Sequence, residues 1–172
     1  MADVAGWPPR WLTPVPIEDQ MRGDGELYAN FAEAVCRVTK DSVASPAGRL
    51  LELRPWQREL LKHILARRED GRFTHRTALV GMSRKNGKSA LAASMGLAGL
   101  TLGGNGSEIY SCAADRDQAR IVFGTAKRMI ELDEELSSKY KHLSYFLFSR
   151  ELSKPLISNF RLKKGFLVFI SY

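Results

Sequence analysis

The stretch Gly81-Met82-Ser83-Arg84-Lys85-Asn86-Gly87-Lys88-Ser89 constrains this chain more than any other. It lies between an apolar run, Thr77-Ala78-Leu79-Val80, and a helix-like run, Ala90-Leu91-Ala92-Ala93-Ser94-Met95. Strand, polar glycine-bearing loop and helix, in that order, are the setting in which a loop grips phosphate. Successive backbone N–H groups and the positive end of the following helix converge on one anion. In such a loop Lys88 reaches the β and γ phosphates, and the Ser89 hydroxyl ligates Mg²⁺. The spacing departs from the usual one. Glycine is wanted at position 82, where Met82 stands, and comes one residue early at Gly81. Gly-Lys-Ser also occurs in ordinary surface turns, so the flanking pattern carries the weight.

At 172 residues, 44% of them hydrophobic, the chain is long enough for one cored domain, or one domain with an arm. Its net charge of +7 is uneven: residues 1–52 hold 5 Lys and Arg against 8 Asp and Glu, and residues 53–172 hold 21 against 11. A basic body behind an acidic front fits a polyanion partner, nucleotide or nucleic acid, and also fits a plain solvated surface. Cys36 and Cys112 form no close pair and adjoin no histidine cluster, which excludes a zinc-ligand pattern. Two lone thiols suit a reducing cytoplasm. His63, His75 and His142 are scattered and read as surface or satisfied histidines. The start, Met1 to Pro9, lacks the basic and apolar regions of a signal peptide. The longest apolar stretch, residues 90–102, is too short to span a bilayer, so no membrane partner is expected.

Pro8, Pro9, Pro14 and Pro16, among Trp7 and Trp11, predict an extended arm over residues 1–23 that docks on something, its own domain included. Asp24 is placed to cap a helix over residues 25–40, with Leu27, Phe31, Ala34, Val35 and Val38 on one stripe. Pro55 opens a second helix whose buried face holds Leu60, Leu61, Ile64 and Leu65. A strand over residues 77–80, the loop, and a helix to about Leu102 follow. A second strand over residues 108–113 leads into a helix over residues 115–136, capped by Asp115. Its apolar face is Ala119, Val122, Phe123, Ala126, Met129 and Ile130. That β-α-β-α order predicts an α/β domain with a parallel sheet. Residues 142–172 differ in composition, being aromatic and basic, and residues 166–170 read as a buried strand.

Three separated motifs then bear on function. They are Leu53-Arg54-Pro55-Trp56-Gln57-Arg58-Glu59-Leu60, the loop Arg84-Lys85-Asn86-Gly87-Lys88-Ser89, and Ala114-Asp115-Arg116-Asp117-Gln118-Ala119-Arg120. In this order they resemble the front of a tailed-phage terminase large subunit, the ATP-driven motor that packages double-stranded DNA into procapsids. The resemblance covers residues 24–136. It implies an incomplete, helicase-like P-loop NTPase domain over residues 24–141, with ATP and Mg²⁺ as cofactors. The nucleotide would be held by Gln57, Gly81, Ser83, Arg84, Lys85, Asn86, Gly87, Lys88 and Ser89. It also implies double-stranded DNA, the terminase small subunit and the portal protein as partners, a homo-oligomeric ring for the full-length protein, and the host cytoplasm as location.

By the same resemblance Gln57 reads the adenine edge, a task that suits a side chain able to donate and accept. The pair Trp56-Gln57 also reads as a core tryptophan beside an exposed helix residue. Lys88 and Arg84 are the residues implied in catalysis, with Arg84 stabilising charge on the γ-phosphate from within the same subunit. Arg84 otherwise serves as a phosphate- or DNA-facing charge. Residues 115–120 read either as a plain capped helix or as the coupling point between nucleotide state and DNA.

A complete motor of this type needs an apolar strand ending in Asp-Glu, and the sequence has none. Asp133-Glu134 falls in an amphipathic pattern, and residues 166–170 run into Ser171-Tyr172. The acidic metal cluster of a nuclease domain is also missing. The expectation is a front piece of a longer protein, with residues 142–172 outside the family pattern through an interruption or frameshift. The rivals are a non-catalytic fragment or relic that docks on terminase or portal partners, and another helicase-like P-loop enzyme.

Overall fold

The computed structural model describes residues 4–41, 45–83, 85–104, 107–112, 116–140 and 165–169. The elements run α1 (Ile17–Arg22), α2 (Gly25–Val35), α3 (Pro55–Ile64), α4 (Lys88–Leu102), β1 (Glu108–Cys112), α5 (Arg116–Glu131), α6 (Glu134–Lys139) and β2 (Gly165–Phe169). Helix α4 is the central piece. It has no charged residue after Lys88, and Leu91, Ala93, Ser94, Met95, Gly96, Leu97, Ala98 and Gly99 are all buried. A helix that is apolar on every face must be covered on every face. Here α2, α5 and both strands do the covering. One side of the core joins Tyr28, Ala29, Ala32, Leu61 and Leu65 to Leu91, Met95 and Ala98. The other joins Cys36, Val122 and Met129 to Ala93 and Leu97.

Glycines set how closely β1 lies on α4. A Cβ at Gly99 would stand 2.9 Å from Ile109 Cδ1, and one at Gly96 would stand 3.5 Å from Ile109 Cγ2. Ile109 therefore rests on a shallow face that side chains would fill. β1 and β2 pair in parallel, from Glu108 opposite Gly165 to Cys112 opposite Phe169. Residues 77–80 form no ladder with any described residue, so the expected strand there is corrected. Leu79 is 97% exposed. An apolar run becomes a strand only when a neighbour takes its N–H and C=O groups, and the described neighbour of β1 is β2.

The arm is not extended throughout. Once Pro16 is passed no proline remains to block it, and α1 forms over Ile17–Arg22. The arm docks on its own domain. Trp7 meets His63 edge-on, with ring centroids 4.9 Å apart. A Cβ at Gly6 would lie 3.4 Å from the Trp56 ring. Trp56 and His63 are two turns apart on one face of α3. Asp19 ties the end of α1 down: its carboxylate takes the Thr74 hydroxyl at 3.0 Å and Arg22 at 2.6 Å, and its carbonyl takes the Arg67 N–H at 2.9 Å.

Three further expectations change. Helix α2 stops at Val35 rather than near Lys40. Cys36 turns extended, and an antiparallel bridge links Arg37 to Leu50. Asp24 stands at the N-cap, yet its side chain makes no cap bond. Arg67 holds that carboxylate instead, at 2.6 and 3.0 Å. The helix expected over residues 115–136 is two helices. Asp133 breaks it, caps α6 by accepting the Leu136 N–H at 3.1 Å, and takes Arg37 at 3.2 Å. Asp115 and the stretch 141–164 lie outside the described residues, as does the side chain of Ala119.

His63 is buried, not a surface histidine, and its Nδ1 has no well-formed hydrogen bond among the described residues. Burial holds its imidazole below the ordinary value. It is therefore neutral in the folded chain at pH values where the unfolded chain, titrating near ~6.5, already takes a proton. The unfolded state then binds more protons, so this contribution is intact above about pH 6.5 and is lost as pH falls toward the folded value. Urea midpoints at pH 7.5 and 5.5 should fall further for the natural chain than for His63→Phe.

Glycines give a second test. A Cβ at Gly25 would overlap the Lys62 backbone, whereas one at Gly124 in α5 meets nothing within 4 Å. Urea unfolding should show Gly25→Ala destabilised by about 1–3 kcal/mol. Gly124→Ala should be neutral or more stable by up to ~1 kcal/mol.

Candidate functional site

Gly81, Ser83, Lys85, Asn86 and Gly87 stand exposed ahead of α4, and Gly87 is its N-cap. Gly87 takes φ +75° and Lys85 takes φ +66°, so two left-handed residues bend the chain within three positions. Left-handed backbone is strained for a side-chain-bearing residue and free for glycine. Such a bend exposes consecutive N–H groups on one side, ahead of a helix whose own first N–H groups are unsatisfied. A buried 15-residue helix holds that end in place.

Lys88 and Ser89 are the first two residues of α4, both half-buried. The Lys88 ammonium folds back across the loop and donates to the Met82 carbonyl at 2.9 Å. Asn86 Nδ2 donates to Ser83 Oγ at 2.7 Å, a second cross-link within the loop. Gly81 is exposed, and a Cβ there would meet nothing within 4 Å. Gly87 is different: a Cβ there would lie 3.4 Å from Gln57 Nε2. Gln57, far upstream in sequence, is thus brought against the loop. Arg84 lies outside the described residues, as do residues 113–115 and the side chain of Gln118. The structure therefore joins Gln57 to Gly87 and Lys88 to Met82, and places Ser83, Lys85, Asn86 and Ser89 around the same turn.

Gln57 is only 7% exposed, so its reading as an exposed helix residue is corrected: it is folded against its own helix turn and the loop. It occupies the third position of α3, behind Pro55 at the first. Its Oε1 accepts the Arg54 N–H at 2.8 Å, the back-reaching half of a capping box. Sequence reasoning missed this role, although the signal was present in a glutamine two residues after a helix-opening proline. The Met82 carbonyl carried no signal, since every residue has one.

No group of three or more metal-ligating side chains occurs among the described residues, and none of their helices is long and apolar enough to cross a membrane. Asp133 and Glu134 are accounted for structurally, as the cap and first turn of α6. The Cys36 thiol is buried and, with Asp133 near it, pushed up to about 12, so it stays a packed thiol rather than a thiolate.

A family model described as "Terminase large subunit, ATPase domain" matches residues 55–155, more than half of the chain. The chain belongs to that family. It is 33% identical over 114 residues to the terminase large subunit of Enterobacteria phage HK97, covering 65% of this chain and 21% of that protein. The crystal structure of the HK97 bacteriophage large terminase superposes with a TM-score of 0.54 at 28% identity, over 67% of this chain and 22% of that one. Terminase membership and this superposition make the fold an α/β architecture of the P-loop type. The chain spans about a fifth of the length of these relatives.

Two glycines separate the loop's strain from its contact with Gln57. Gly71 also has positive φ (+76°), but a Cβ there meets nothing. Alanine at either site should cost about 1–2 kcal/mol for left-handed backbone. In urea titrations Gly87→Ala should cost more than Gly71→Ala, by the added contact with the amide.

Proposed function

We propose that this chain is the front part of a DNA-packaging ATPase and that its 81–89 loop holds ATP with Mg²⁺. The observation that carries the proposal is the left-handed Gly87 followed by Lys88 and Ser89 at the head of a buried helix. The residues present fit the group. The Lys88 ammonium already lies over the turn, where a phosphate oxygen would replace the Met82 carbonyl as its acceptor. Ser89, one residue into α4, offers the hydroxyl for Mg²⁺. Gly81, Ser83, Lys85, Asn86 and Gly87 supply backbone N–H groups and charge around the polyphosphate. Bound ATP would supply the phosphoanhydride whose cleavage drives movement in a motor of this kind.

Arg84 would stabilise charge building on the transferred phosphoryl group. In the longer protein the partners would be double-stranded DNA, the terminase small subunit and the portal, within a ring of like subunits in the host cytoplasm. Residues 1–23 would form an arm and 24–141 the ATPase front part, joined by the later stretch through the pairing of β2 with β1. The sequence has no apolar run ending in Asp-Glu to orient the attacking water. Holding nucleotide without turning it over quickly is the activity proposed for this chain.

A docking role without catalysis is the second reading, and one observation favours it. The arm leaves Trp11, Met21 and Ile17 exposed at 83%, 81% and 57%. Thermal unfolding separates the two readings. With ATP·Mg²⁺ at about a hundred times Kd, stability should rise by about 2.7 kcal/mol. Lys88→Ala should abolish most of that rise, and ATP turnover by the natural chain should stay low. No rise in the natural chain would favour docking. Fast turnover that Lys88→Ala abolishes would refute slow hydrolysis.

A further inference from the structure

We infer that Gln57 is a strut for the phosphate loop, acting on the polyphosphate through Gly87 rather than by reading a base. The inference rests on the nucleotide reading above and assigns one residue a different task within it.

The argument begins with the two ends of the Gln57 amide. Oε1 is committed to the Arg54 N–H at 2.8 Å, which fixes the side chain to the first turn of α3. That turn is itself well held. Pro55 sets φ at its first position, and Leu61 and Leu65 bury the face below. Nε2, the other end, faces Gly87, with 3.4 Å left for a Cβ that glycine lacks. The side chain is 7% exposed, so it has little freedom to swing toward a ligand. A base reader of this type needs its oxygen and its N–H₂ turned outward together. Here one is engaged in a cap and the other abuts the loop backbone.

The loop has need of such a support. It departs from the usual glycine spacing, with Met82 where glycine is expected. Its early glycine, Gly81, has open space on its Cβ side and so receives no brace there. Gly87 is the left-handed N-cap of α4, where the turn feeds directly into Lys88 and Ser89. A wall behind Gly87 fixes the direction of the following N–H groups before any anion arrives. Fixing donors in advance lowers the ordering cost of binding. The anion so served is the polyphosphate, whatever base is attached to it.

Binding of ATP, GTP and inorganic tripolyphosphate, each with Mg²⁺, tests the inference by calorimetry on the full chain. Gln57→Ala should weaken all three by a similar factor, about two- to tenfold, as the wall behind Gly87 is lost. Because that variant also loses the α3 cap, Gln57→Met is the informative companion. It loses the same cap but keeps a side chain of similar length beside Gly87. Gln57→Met should bind all three near the natural affinity. Loss confined to ATP would make Gln57 a base reader and overturn the strut. Equal weakening in Gln57→Ala and Gln57→Met would assign the effect to the cap and overturn it as well. If the natural chain binds none of the three, the nucleotide reading and the strut fall together; binding by the natural chain that survives in Gln57→Ala removes the strut alone.

Discussion

The contact of Ile109 with the glycine face of α4 sets the geometry on which the loop depends. Gly96 and Gly99 bring β1 close to the helix, and α2 and α5 cover the rest of it. The described residues of the loop have little packing of their own; Gly81, Ser83, Lys85, Asn86 and Gly87 are exposed. Its shape is therefore inherited from the element that follows it. A helix with Leu97 and Ala98 fully buried cannot tilt without opening a core on both sides. That rigidity is what allows an exposed seven-residue turn to keep a defined mouth.

The second support is the α2–α3 pair. Arg58 on α3 reaches Glu26, Asn30 and Glu33 on α2, and Lys62 joins Glu26 and Glu59. Glu33 is drawn upward by burial, yet hydrogen bonds from Arg58 and the Leu53 N–H hold its carboxyl below the ordinary value. These groups are partly solvated, so each pair is worth little, about 0–1 kcal/mol. Their use is orientation. Glu33 links the backbone just ahead of α3 to α2, and so fixes the turn from which Gln57 projects. The terminase ATPase family match begins at that same turn, at residue 55.

What could be read from the sequence was whatever is signalled locally. Pro55 with Leu61 and Leu65 marked α3, and the apolar run after Lys88 marked α4 to Leu102. The position of Gly87, Lys88 and Ser89 at the head of α4 was legible because the apolar helical run begins directly after them. Residues 77–80 were misread because pairing is a property of two segments and the run shows only one. The break at Asp133 was hidden for a related reason. An acidic residue in an amphipathic pattern passes for a solvated helix position until Arg37, ninety-six residues away, claims it. Gln57 was picked out for its chemistry, while its surroundings were not legible, since nothing near it in sequence shows that Gly87 lies against it.

The Lys88 ammonium has a consequence of its own. Because it already rests on the Met82 carbonyl, an arriving anion meets a side chain in place rather than one recruited from water. The rotamer entropy of a free lysine, up to about 2 kcal/mol, is largely spent in folding. Under the nucleotide reading proposed above, capture would need only a short swing of a side chain already in place. Any small, dense anion would then compete for the same ammonium, and occupancy by a polyphosphate would depend on what other anions share the solution.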